Sequence, residues 1–143
     1  MINKTITYKM IKSEDLNHHG TLFAGRCAEW FVEASFIAAG SVLDPKHTVC
    51  LKVHGLEFVH PMKIGSILGF ESRIVHTGRT SVTVYTCVHE IKSMDIQRLD
   101  GFVTFCYLNE ESKPTPHGLV VTTETEEEIM LNQKASELLK RRN

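Results

Sequence analysis

The sequence predicts an α+β domain in which one antiparallel β-sheet wraps a single long central helix, with a second helix at the C-terminus. Three observations carry this. From about Ala24 to Val42, apolar residues recur at three- and four-residue intervals, the period of a helix. Alternating apolar and polar segments precede and follow that helix, the pattern of strands. The later segments are long and joined by short turns, which pairs them antiparallel. A chain of 143 residues is about one domain's worth of polymer.

The elements follow in order. Ile2 to Met10 alternates Ile2, Lys4, Ile6 and Tyr8 against Asn3, Thr5 and Thr7, as a strand does. A polar loop, Lys12 to Gly20, leads to the helix. There Phe23, Cys27, Trp30, Phe31, Ala34, Ile37, Ala38 and Val42 form the apolar stripe. Only Arg26, Glu29 and Glu33 make a strongly polar one, so the helix is expected to be covered on most sides. Asp44-Pro45 ends it, because a residue before proline is pushed out of the helical region.

Strands are expected over Thr48–Val59, Ser66–His76, Thr80–Lys92 and Leu99–Leu108. In the third of these Val82, Val84, Thr86 and Val88 share one face. A polar, proline-bearing link, Asn109 to Thr123, closes a domain of residues 1–123. The remaining residues, 124–143, form a helical tail that begins with the capping box Thr125-x-x-Glu128 and ends on Lys140-Arg141-Arg142. Five strands round one helix leave a long sheet edge, and pairing two such edges predicts a dimer.

Composition excludes several classes of function. A net charge of −1 supplies no field to draw in nucleic acid or an anionic membrane. No apolar run approaches the length of a membrane span, and the N-terminus lacks a signal peptide's apolar core, so a cytoplasmic location is expected. Cys27, Cys50, Cys87 and Cys106 are dispersed within apolar runs, which reads as four buried, reduced thiols. Among the eight histidines there is no HxH or HExxH pattern, and no metal site is expected.

Chemistry concentrates where Asn17-His18-His19-Gly20-Thr21-Leu22-Phe23-Ala24-Gly25 enters the helix. Such a loop delivers unpaired backbone N–H groups at a helix N-terminus, and Gly25 lets a ligand approach the main chain. Those groups can stabilise the negative charge a carbonyl oxygen gains under attack. Asn17 offers an amide to orient water or carbonyl, and Glu33, two turns into the helix, a general base. Each also has an ordinary structural role, Asn17 as a turn or cap residue and Glu33 as part of the polar stripe.

Four stretches in this order resemble the acyl-CoA hydrolase branch of the hotdog-fold thioesterases. Asn17, Gly20, Phe23 and Gly25 match the family's Asn-x-x-Gly-x-x-(Phe/His)-Gly-Gly, with Ala24 in place of its first paired glycine. Phe58-Val59-His60-Pro61-Met62-Lys63-Ile64-Gly65 looks like its Phe-x-x-Pro-x-x-x-Gly turn. His76-Thr77-Gly78-Arg79-Thr80-Ser81 looks like its stretch that contacts coenzyme A. The fourth, Glu110 to Pro116 with the Thr-Glu-Glu-Glu helix start, extends the likeness over nearly the whole chain.

The resemblance implies a hotdog domain that hydrolyses an acyl-CoA thioester to free acid and coenzyme A. It implies catalytic roles for Asn17, Glu33 and the amide near Gly25, and substrate contacts at Gly20, Phe23, Ala24, Arg79, Thr80 and Ser81. No cofactor or metal is implied, since a thiolate is already a good leaving group. Partners are acyl-CoA and further copies of the chain, as a dimer and then a trimer of dimers.

One departure bears on the base. Counted from Gly25, the family's acidic residue falls on Val32, with Glu33 one position later, a rotation of about 100° round a helix. Glu33 has no Lys or Arg four residues beyond it and a like charge, Glu29, four before it. Three readings stay open: Glu33 acts as base; it is a solvated residue of a non-catalytic acyl-CoA-binding or sensing protein; or Asp15, His18 or His19 substitutes. An enoyl-CoA hydratase on the same fold is a further alternative, although no Asp-x-x-x-x-His motif is present.

Overall fold

A computed structural model describes residues 4–141, the side chains of residues 94 and 95 excepted. Strand β1 (Thr5–Met10) is followed by α1 (Ala24–Gly40), β2 (Thr48–His54), β3 (Ile67–Thr77), β4 (Ser81–Glu90), β5 (Ser93–Tyr107) and α2 (Glu126–Lys140). The strands form one sheet in the order β1-β3-β4-β5-β2, and every neighbouring pair is antiparallel. Strands β1 and β2 therefore carry its edges.

One face of the sheet packs on α1. Leu68, Phe70 and Ile74 of β3, Val82, Val84 and Val88 of β4, and Val103 and Phe105 of β5 join Cys27, Phe31, Ala34 and Ala38 in one buried cluster. The alternation seen in the sequence thus places Val82, Val84 and Val88 as expected. A bulge between Ile74 and His76 shifts the register, and Val75 joins Phe102, Leu131 and Ala135 in a second cluster, under α2. The terminal helix thus lies on the sheet face opposite α1. Asn132 Nδ2 donates to Val75 O at 2.8 Å, and Arg73 pairs with Glu127.

The capping box of α2 forms in full. Thr125 Oγ1 accepts from Glu128 N at 3.1 Å, and Glu128 Oε1 accepts from Glu124 N at 2.8 Å and Thr125 N at 3.0 Å. Those two backbone donors hold the Glu128 carboxyl below the usual carboxylate range.

Three buried hydroxyls interrupt the apolar contact between α1 and the sheet. Thr86 Oγ1 lies 2.8 Å from Ser35 Oγ and 2.6 Å from Ser72 Oγ, while Ser35 Oγ donates to Phe31 O at 2.8 Å. Thr86 is the shared partner. Thr86→Val preserves shape but strands Ser72 Oγ in the core, and is expected to cost about 1–3 kcal/mol. Urea denaturation reads this as a lower midpoint with unchanged slope.

Several expectations are corrected. The second strand stops at His54 rather than Val59, because Gly55 turns the chain at φ +65°. The last strand begins at Ser93 rather than Leu99. Residues 1–3 of the expected first strand lie outside the described residues. The helix ends at Gly40, and the sheet of a single chain covers one side of it, leaving Ile37 and Val42 exposed. Cys27, Cys87 and Cys106 are buried as expected, but Cys50 is exposed on the edge strand β2. An edge position turns one side chain in two away from any core, whatever its polarity.

Candidate active site

The loop before α1 is built by Asn17. Its Oδ1 accepts from His19 N at 2.8 Å and Thr21 N at 3.2 Å, and its Nδ2 donates to Thr21 Oγ1 at 3.2 Å and Leu22 O at 3.5 Å. Asn17 N donates to Thr21 O at 2.8 Å, which closes the turn, and Gly20 occupies it at φ +81°. Leu22 N then donates to Met62 O at 2.8 Å and Phe23 N to Asp15 O at 2.9 Å, pinning the helix entrance.

Phe23 is the N-cap residue and supplies no side-chain acceptor. The first turn holds no acidic residue, and the first helical bond from the cap runs from Cys27 N to Phe23 O. The N–H groups of Ala24, Gly25 and Arg26 therefore have no protein acceptor among the described residues. Gly25 makes room here for the Phe23 ring. A Cβ on it would lie 2.6 Å from Phe23 Cε2, so the exposed Phe23 ring rests against the bare glycine. Buried Asp15 sits nearby but is spent: its carboxylate accepts from Lys12 N at 2.8 Å and pairs with Arg26 Nε at 3.5 Å. Cys27 offers no nucleophile, since burial pushes its thiol up to about 11.

Glu33 lies on the outer side of α1 with 61% of its side chain exposed, and its partner is Lys9 Nζ of β1 at 3.5 Å. The sequence expectation of a carboxylate without a nearby cation is thus corrected: β1 supplies one from across the sheet edge. Glu29 turns to Arg26 instead, at 3.6 Å. Eight residues separate Gly25 from Glu33, about 12 Å of helix rise. Within one chain Glu33 is turned to Lys9, away from the helix entrance where a carbonyl and its attacking water would have to sit.

Arg79, Thr80 and Ser81 stand at the far end of β3. Gly78 N donates to Ser81 O at 2.9 Å to close the hairpin, and Tyr107 N donates to Thr80 O at 2.8 Å. His76, just before it, is pushed below the usual histidine range by burial. The Asn17 loop is tied to Met62 and Lys63, ahead of β3, so the eleven residues of β3 set the two groups about 35 Å apart. The structure joins Asn17, Gly20, Phe23, Ala24 and Gly25 in one place, and Arg79, Thr80 and Ser81 in another. It does not bring the two places together in one chain.

A cleft of about 330 Å³ opens beside the hairpin, lined by Thr77, Gly78, Arg79, Pro116, His117, Gly118, Leu119 and Val120. A wider one, about 520 Å³, lies under α2 and includes His54, His60, Asp100 and Lys134. Sequence reasoning overlooked Lys9 and His117. Lys9 carried one usable signal, its place in an alternating strand, while His117 sat in a stretch with no periodicity at all.

The family model of the thioesterase superfamily matches residues 19–96. The chain is 29% identical over 136 residues to the uncharacterized acyl-CoA thioester hydrolase YkhA of Bacillus subtilis (strain 168), covering 93% of this chain and 78% of that one. It is similar to the crystal structure of an acyl-CoA hydrolase from Bacillus cereus, with a TM-score of 0.86, 28% identity, and 97% and 85% of the two chains covered. It is likewise similar to an apo-hexameric acyl-CoA thioesterase, with a TM-score of 0.85, 28% identity, and 97% and 90% covered. The five-stranded sheet with α1 on one face is the hotdog fold of these structures. By its sequence and its fold together, the chain belongs to the thioesterase superfamily.

Proposed function

We propose that this protein is an acyl-CoA thioester hydrolase whose catalytic site combines groups of two copies of the chain. The observation that carries the reading is the entrance of α1: three backbone N–H groups without an acceptor among the described residues, no neutralising acid in the first turn, and a glycine that bares the main chain. A thioester carbonyl seated there gains charge under attack, and the helix terminus stabilises it. The Asn17 Nδ2 contact with Leu22 O sits at the 3.5 Å limit, which leaves that amide a donor to position carbonyl or water. Gly20, Phe23 and Ala24 shape the same entrance.

Glu33 of a second copy removes a proton from water. The resulting hydroxide adds to the carbonyl carbon, the tetrahedral oxyanion collapses, and the C–S bond breaks. The coenzyme leaves as a thiolate that takes up a proton, and the acid departs as carboxylate. No metal or cofactor takes part. Two copies are also what the surface favours, because Val49 and Leu51 of β2 and Ile37 of α1 remain exposed in a single chain. By likeness to the hexameric relative, three such dimers form a hexamer. Arg79, Thr80 and Ser81 bind the coenzyme, and the enzyme works in the cytoplasm.

A thiol-release assay over acyl-CoA chain lengths tests the reading. Turnover without added metal, and undiminished by a chelator, is expected. A second reading, a non-catalytic acyl-CoA binder, draws on the Lys9–Glu33 pair and on Val32 in the family's acidic slot. It predicts saturable binding with no thiol release.

A further inference from the structure

The residues after β5, 109–123, look like a linker in sequence but run as a strap over the end of the sheet. Asn109 folds its start, with Oδ1 accepting from Glu111 N at 2.9 Å and Lys113 N at 3.0 Å. Thr115 N then donates to Tyr107 O at 2.9 Å, and the strap reaches the Thr77–Ser81 hairpin.

There His117 uses both ring nitrogens. Nε2 lies 2.8 Å from Ser81 O, and Nδ1 lies 2.9 Å from Leu119 N. A backbone N–H can only donate and a carbonyl can only accept, so Nδ1 is the acceptor and Nε2 carries the proton. Three hydrogen bonds join strap and hairpin among the described residues. Two come from His117, the ring bond and His117 N to Arg79 O at 3.4 Å; the third runs from Val121 N to Thr77 Oγ1 at 3.2 Å. Leu119, held by the same ring, packs into the core. The 330 Å³ cleft lies between these two tied segments, with Arg79 exposed in its wall.

We propose that His117 is a positioning residue for the coenzyme end of the substrate, holding strap and hairpin in the shape that cleft must have to bind it. The inference rests on the acyl-CoA reading above. Two loops tied before the ligand arrives spare it the entropy of ordering them. The benefit falls on binding rather than on chemistry, because the carbonyl reacts at the opposite end of the pantetheine arm.

The test compares an acyl-CoA with the same acyl group on pantetheine, which lacks the nucleotide portion. His117→Ala is expected to raise KM for acyl-CoA about tenfold, the worth of one or two lost hydrogen bonds. The change should be confined to KM and to the full coenzyme ester. His117→Gln, whose carboxamide donates and accepts over a similar span, should recover most of it, and Thr77→Val should shift KM in the same direction. Where His117→Ala does not fold, Thr77→Val carries the comparison.

A KM that moves equally for both esters, or a folded variant with the parent KM, overturns the proposal. If the parent chain binds coenzyme A without turnover, the hydrolase reading fails while calorimetric affinities of the same variants still decide the role of His117. If the parent binds no coenzyme A at all, both fall.

Discussion

Glu33→Gln is expected to lower thiol release by about 100-fold or more, the scale of losing a general base. The substitution removes the charge that Lys9 Nζ meets at 3.5 Å, yet Glu33 is largely exposed and Lys9 partly so, and stability should change little. A variant that keeps full activity assigns Glu33 to the solvated stripe. The stronger test mixes chains. Gly25 and Glu33 are about 12 Å apart along one helix, and the proposed site takes the entrance of one copy and the acid of another. Asn17→Ala and Glu33→Gln should each be nearly inactive alone. Co-expressed in equal amounts, they should regain about a quarter of parental activity, since half the dimers are mixed and each holds one intact site. Activity no greater than the sum of the separate variants would place the whole site within one chain.

Phe31→Ala carries the largest expected effect on stability, about 3–5 kcal/mol from lost burial and the cavity left behind. Phe31 is fully buried in the middle of α1, and its carbonyl receives the Ser35 hydroxyl. Its Cζ lies 3.3 Å from where a Cβ on Gly101 would stand, so β5 is shaped round the ring. Against a total stability of about 5–15 kcal/mol, such a loss leaves little in reserve. Thermal unfolding should move down by roughly 10 °C. A shift of only a degree or two would mean that α1 and the sheet close over the gap.

The parts of the fold legible in sequence were those written in local periodicity or local chemistry. The buried part of the α1 stripe (Cys27, Phe31, Ala34 and Ala38), the alternation of Val82, Val84 and Val88, and the Thr125–Glu128 box each involve residues a few positions apart. The structure contains all three. What failed was decided at a distance. Glu33 met Lys9 because β1 lies beside α1, which no spacing announces. Cys50 is exposed because β2 ends the sheet, and His117 bonds to Ser81 from a segment without any repeat.

The same division holds for the site. Motif order in the sequence pointed to the family, and it singled out the α1 entrance and the Arg79 hairpin as candidates, because loop chemistry at a helix N-terminus is a short-range property. Only the tertiary structure separated the two groups, since an extended strand of eleven residues spans far more than a hydrogen bond can cross. Sequence by itself determined which elements form and which termini can bind charge. Sheet order and edge position, set by pairing between distant segments, determined which side chains meet and which stay exposed in a single chain.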